Sequence, residues 1–127
     1  MNKLLWFLQV VVGAYFILIG AMHFVVPPGL PATMSWMYDL PQSIHYVSGA
    51  AEILGGLGLI LPGLLCTQVG LTPLAALGLL LVMAAASVWH VTRGEYVNVV
   101  LAVALGSIAA FIAYARWRLR PLNSRSA

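Results

Sequence analysis

Charge is what this chain has least of. Only 7% of its 127 residues are Asp, Glu, Lys or Arg, where a soluble domain carries about a quarter. Hydrophobic residues make up 62%, and a chain this short has too little interior to hide them from water. A water-soluble fold is therefore excluded. Cysteine is nearly absent as well: Cys66 stands alone, which excludes an intramolecular disulfide, a CxxC redox pair and a Cys-rich metal site. Acids number three, Asp39, Glu52 and Glu95. The basic excess sits in the tail "RWRLRPLNSRSA", with Arg116, Arg118, Arg120 and Arg125. Such a cluster beside a membrane span is an ordinary cytoplasmic flank, and no nucleic-acid partner is expected.

What is present is length of apolar run. Four windows suffice to cross a hydrocarbon core as helix: about 4–26, 43–61, 70–91 and 96–114. They are continuous rather than alternating, so helices are expected and barrel strands are not. Lys3 precedes the first window, which is too long for a signal-peptide core and lacks a clean A-x-A site. It is taken as a retained span. The expected architecture is all-α, a single four-helix membrane domain over 1–127 with a basic tail at 115–127.

An even number of spans puts both termini on one side. That side holds Lys3 and the tail arginines, the other only Arg93, so the termini are predicted to be cytoplasmic. The loop "PPGLPATMSWMYDLPQ", residues 27–42, and the turn "TRGE", residues 92–95, then face outward. Prolines stop the helices beside the loop, and Trp36 and Tyr38 mark a segment lying at headgroup level.

This topology gathers scattered residues. His23, His45 and His90 all fall at outer helix ends, near Arg93, Glu95 and Asn98. Glu52 lies seven residues after His45, on the same helix face and roughly 10 Å deeper. An acid in mid-membrane costs about 2.5–3.5 kcal/mol on insertion scales and is seldom idle. Gln9, Gly13, Phe16, Gly20 and His23 form one stripe, and Asn98, Ala102, Gly106, Ala109 and Ala113 another. Small residues at such spacing let membrane helices approach closely. The candidate ligand-binding set is Glu52, His90, His23, His45, Arg93 and Asn98.

Three chemistries remain open for a pocket of this kind. Imidazoles and a carboxylate can hold zinc or copper, although no HExxH or HxxxH spacing is present, so no metal ligands are assigned. His and Glu can donate to quinone carbonyls and titrate on turnover. The pocket can also recognise a lipid or a partner helix without chemistry. No nucleophile–base motif or phosphate loop is found, so an enzyme acting alone is not expected. Self-association stays open.

"GAMHFVVPPGL", "YVSGAAEILGGLGLILPGLL" and "SVWHVTRGEYVNVVLA", in that order, resemble the DoxX-like family of small four-helix bacterial membrane proteins, over about residues 4–113. The resemblance implies a bacterial inner-membrane location and a shared polar site at Glu52 and His90 with His23. The family takes its name from a subunit of a thiosulfate–quinone oxidoreductase. Other members look like partners of redox or stress-defence enzymes, and a eukaryotic receptor-assembly chaperone is similar. The outer-half pocket, taken with this resemblance, leads us to expect an accessory subunit that binds a hydrophobic molecule such as quinone or lipid, with a quinone-linked oxidoreductase component and a membrane-protein assembly factor as alternatives. Lacking a cysteine pair, the chain would need a quinone, a metal or another subunit for any redox role.

Overall fold

Apolar runs inside a bilayer find no water for their amides, so each must close its own hydrogen bonds as helix. The computed structural model describes residues 1–125 and has helices α1 (Asn2–Phe24), α2 (Gln42–Leu65), α3 (Leu71–Thr92) and α4 (Tyr96–Tyr114). Each is long and apolar enough to cross a membrane. No strand occurs among the described residues. The last two positions of the tail assigned to 115–127 lie outside them.

Two boundaries differ from expectation for local reasons. α2 runs through Pro62 to Leu65, because a proline near the end forfeits a single amide and leaves the following turn intact. It stops at Cys66, whose φ of 53° is the left-handed conformation that ends a helix. α4 continues into a π-helical turn, Ala115–Leu119. Arg116 in that turn is buried, not a solvated flank charge. It bonds to Gln9 Oε1 and to Asn2 Oδ1 (2.7 Å), joining both ends of the chain at one end of the bundle.

The helices pack as two close pairs, α1 with α2 and α3 with α4, joined through α2 and α3. Glycine sets the first pair. A β-carbon at Gly56 would stand 2.5 Å from the Gly13 carbonyl oxygen, and one at Gly49 2.8 Å from that of Gly20. Backbone therefore lies on backbone, as small-residue membrane interfaces allow. The buried face of α1 carries Gln9, Gly13, Phe16, Gly20 and His23, the stripe legible in the sequence. α1 and α4 scarcely touch, which leaves a cleft between the pairs. Outward positions such as Leu18, Leu54, Leu81 and Val100 are exposed and apolar, a surface for lipid tails.

The long loop is structured rather than a free linker. It folds into a 3₁₀ segment, Ala32–Tyr38, over the bundle end opposite the termini. Tyr38 Oη donates to Pro27 O (2.8 Å) and accepts from Leu30 N (3.1 Å), and Met37 is buried.

Candidate functional site

The capped end carries all three histidines. α1 ends with His23, the first turns of α2 carry His45, and α3 closes with His90. Their rings are buried, as is Glu52 two turns deeper on α2. The glycine contacts at Gly20 and Gly49 are what let α1 and α2 approach closely enough for these side chains to meet.

His45 Nε2 is 2.8 Å from Met37 O, His45 Nδ1 is 2.8 Å from His23 Nδ1, and His23 Nε2 is 3.6 Å from Glu52 Oε2. The partners assign the protons. Met37 O only accepts, so His45 Nε2 carries a hydrogen. With His45 neutral its Nδ1 accepts, so His23 Nδ1 donates. His23 Nε2 then faces Glu52 Oε2 at 3.6 Å, within ion-pair range but beyond a hydrogen bond, and neither atom has a hydrogen-bond partner among the described residues. Met37 O, His45 and His23 thus form a hydrogen-bonded row whose far end faces the Glu52 carboxyl.

Glu52 also stands where two cavities meet. One, about 330 Å³, lies in the cleft between α1 and α4 under the 3₁₀ segment, with Tyr15, Phe16, Met83 and Asn98 in its wall. The other, about 580 Å³, lies between α2 and α3 and includes His23, Ser48 and Trp89. Trp36, Glu52, Ala86 and His90 belong to both walls. Trp36 stands edge-on to His90, with ring centres 5.2 Å apart, and 5.9 Å from His23. Val97 and Leu101 edge the first cavity and are exposed on the bundle's outer surface, so its mouth opens sideways. Cavities of this size, apolar but for a few polar groups, suit small hydrophobic molecules.

His90 and Asn98 turn partly to Glu95: His90 Nδ1 lies 3.1 Å and Asn98 Nδ2 3.4 Å from its Oε2. Arg93 reaches neither Glu52 nor the cavities. It is taken up by Asp39 Oδ2 (2.6 Å) and Glu95 Oε1, and stacks 4.5 Å over Trp89. Desolvation works to raise the Glu95 pKa, but hydrogen bonds from Arg93 and His90 outweigh it and hold the carboxyl below its ordinary value. Hydrogen bonds to Glu95 and then Asp39 raise the Arg93 pKa. The structure therefore joins His23, His45 and Glu52 directly, brings His90 and Asn98 to the same walls, and leaves Arg93 as a clamp between the loop and the α3–α4 turn. Among the described residues, no three of His, Cys, Asp and Glu converge as metal ligands would.

Trp36, read from the sequence as an interfacial aromatic, and Tyr15 enter the site without having been among the candidate ligand-binding residues. Trp36 sits in a proline-rich loop whose inward fold has no periodic signal, and Tyr15 is one aromatic in an apolar run. Gly55 and Gly106 pack internally, against Leu79 and Met83.

The DoxX-like family model matches residues 7–112. No curated protein and no solved structure matches the chain.

Proposed function

The chain belongs to the DoxX-like family, and we propose that it is an accessory subunit of the bacterial inner membrane that binds a small hydrophobic molecule, a quinone or a lipid, against Glu52. Its termini lie in the cytoplasm, on the positive-inside bias, and the histidine end faces outward. The observation that carries the reading is the placement of Glu52, a buried carboxyl 3.6 Å from His23 Nε2 in the wall of two apolar cavities. The side opening of the first cavity supports entry from the bilayer rather than from water. Glu52, His90 and Asn98 are the groups at hand to bond a ligand's oxygen, while Phe16, Met83 and Leu101 cover its apolar part.

The histidine pair facing Glu52 favours one further reading, a quinone-linked oxidoreductase component. A carbonyl ligand of this kind accepts a proton when reduced, and a carboxyl with an imidazole pair beside it is the chemistry that supplies one. Electrons would come from a partner protein, since Cys66 is the chain's only cysteine.

Native mass spectrometry of the chain in mild detergent, beside Glu52→Gln, tests both. The expected result is an added mass of quinone or lipid that the variant loses. Bare chains in both samples would overturn the ligand-binding reading. Quinone-dependent electron transfer that survives Glu52→Gln would overturn the redox reading.

A further inference from the structure

The opposite end of the bundle holds a buried cation without a matching acid. Arg116 is only 3% exposed, and its bonds to Gln9 Oε1, Asn2 Oδ1 and Arg120 O (3.0 Å) are all to neutral acceptors. Its Nη2 is buried and bonded to nothing among the described residues. The three acids are at the far end, Asp39 and Glu95 on Arg93 and Glu52 on His23. A buried guanidinium left this way is costly unless an anion meets it.

Arg116 also borders a cavity of about 370 Å³, walled by Gly70 and Leu74 at the start of α3 and by Trp117 and Leu122 beyond α4. The depth is informative. Tyr96 to Tyr114 climbs roughly 28 Å at 1.5 Å per residue, close to a full hydrocarbon thickness. Arg116 therefore stands at headgroup level. Tyr114 and Trp117, both exposed, flank it as interfacial aromatics do.

We propose that Arg116 and this cavity form a phosphate-binding site at the membrane interface. The free Nη2 donates to a phosphate oxygen, and the apolar wall of Leu74, Trp117 and Leu122 accommodates what the phosphate carries. A guanidinium suits this task because its donors form a fixed fork that matches phosphate oxygens. The phosphate belongs to a phospholipid headgroup or to a free anion.

The test is native mass spectrometry of the full chain with short-chain phosphatidylglycerol, with diacylglycerol of the same chains, and with inorganic phosphate at matched ionic strength. Phosphatidylglycerol should be retained about tenfold better than diacylglycerol, the scale of a charge-assisted bond. Arg116→Gln should abolish the preference. Because Arg116 also ties the chain ends together, a second variant, Gly70→Trp, fills the cavity without touching those bonds. Gly70 has open space around it and an ordinary φ of −64°. Competition by inorganic phosphate assigns the site to the anion whatever its source, and its absence assigns it to the lipid headgroup. Equal retention of the two lipids, or a preference intact in Gly70→Trp, overturns the proposal.

Discussion

His23 and His45 face each other through their Nδ1 atoms at 2.8 Å, although they stand on different helices. Such a contact requires that one ring donate and the other accept, so the protonation of each ring fixes that of its neighbour. The row ends in a carbonyl at one extreme and a carboxyl at the other, and this decides what each substitution at Glu52 does.

Glu52→Gln should fold, since a Gln amide can donate to His23 Nε2 in the carboxyl's place. It removes the ionisable group and keeps the shape. Glu52→Ala removes the carboxyl that stands 3.6 Å from the buried His23 Nε2 and enlarges the void between the helices, and should cost about 1–3 kcal/mol. Thermal unfolding in detergent should rank wild type and Gln together, with Ala clearly lower. Equal losses in both would mean that the carboxyl's charge, not its bond, holds the site.

The α1–α2 contact should tolerate no side chain. Gly49→Leu and Gly56→Val each force backbone apart, at a cost of about 1–3 kcal/mol or more. Gly70→Ala, in open space, should change stability by less than about 0.5 kcal/mol. A Gly49 variant as stable as the Gly70 control would show that the close approach of the helices is dispensable.

The loop clamp should be sensitive to acid. The Glu95 pKa is lowered in the fold by Arg93 and His90 against desolvation. Its contribution is therefore complete above the unfolded value, near pH 4.3, and is lost as pH falls through the lower folded value. Proteolysis of the 27–42 loop between pH 7 and pH 3, with an acid-active protease, should accelerate at the low end in wild type. Glu95→Gln should start fast and stay flat, apart from the protonation of Asp39, the other carboxylate on Arg93. Salt should weaken the clamp as well, because Arg93 is partly exposed.

Gln9 joins two helices and the chain's end: its Nε2 donates to Leu59 O at 2.7 Å while its Oε1 accepts from Arg116. Gln9→Leu keeps the bulk and strands both partners, at about 1–3 kcal/mol for each group left unpaired. Thermal unfolding checks it. A neutral result would mean that other groups take over both bonds.

The helices were legible because apolar length and proline placement are local properties of the chain. The small-residue stripe on α1 was legible because 3.6-residue periodicity puts Gln9, Gly13, Phe16, Gly20 and His23 on one side of any helix. Which helix each stripe meets is not periodic information. The loop was harder still: its inward fold depends on Met37 finding a buried seat and Tyr38 bonding Pro27, both long-range events. Arg116 was read with its neighbours as flank, since nothing local distinguishes it from Arg118 or Arg120. Its burial comes from the turn beyond α4 and from Asn2 and Gln9, more than a hundred positions earlier.

The shared wall of the two cavities has a mechanical consequence. Glu52, Ala86 and His90 are fixed to helices, and moving any of them unpacks the bundle. Trp36 alone rides on the loop, held by Tyr38 and by the Asp39–Arg93 pair. Of the shared wall, only the indole can shift without unpacking a helix, so the loop is the part of the molecule that can change how the two chambers meet. The ion pair that pins this loop, Asp39–Arg93, is exposed, where acid and salt reach it.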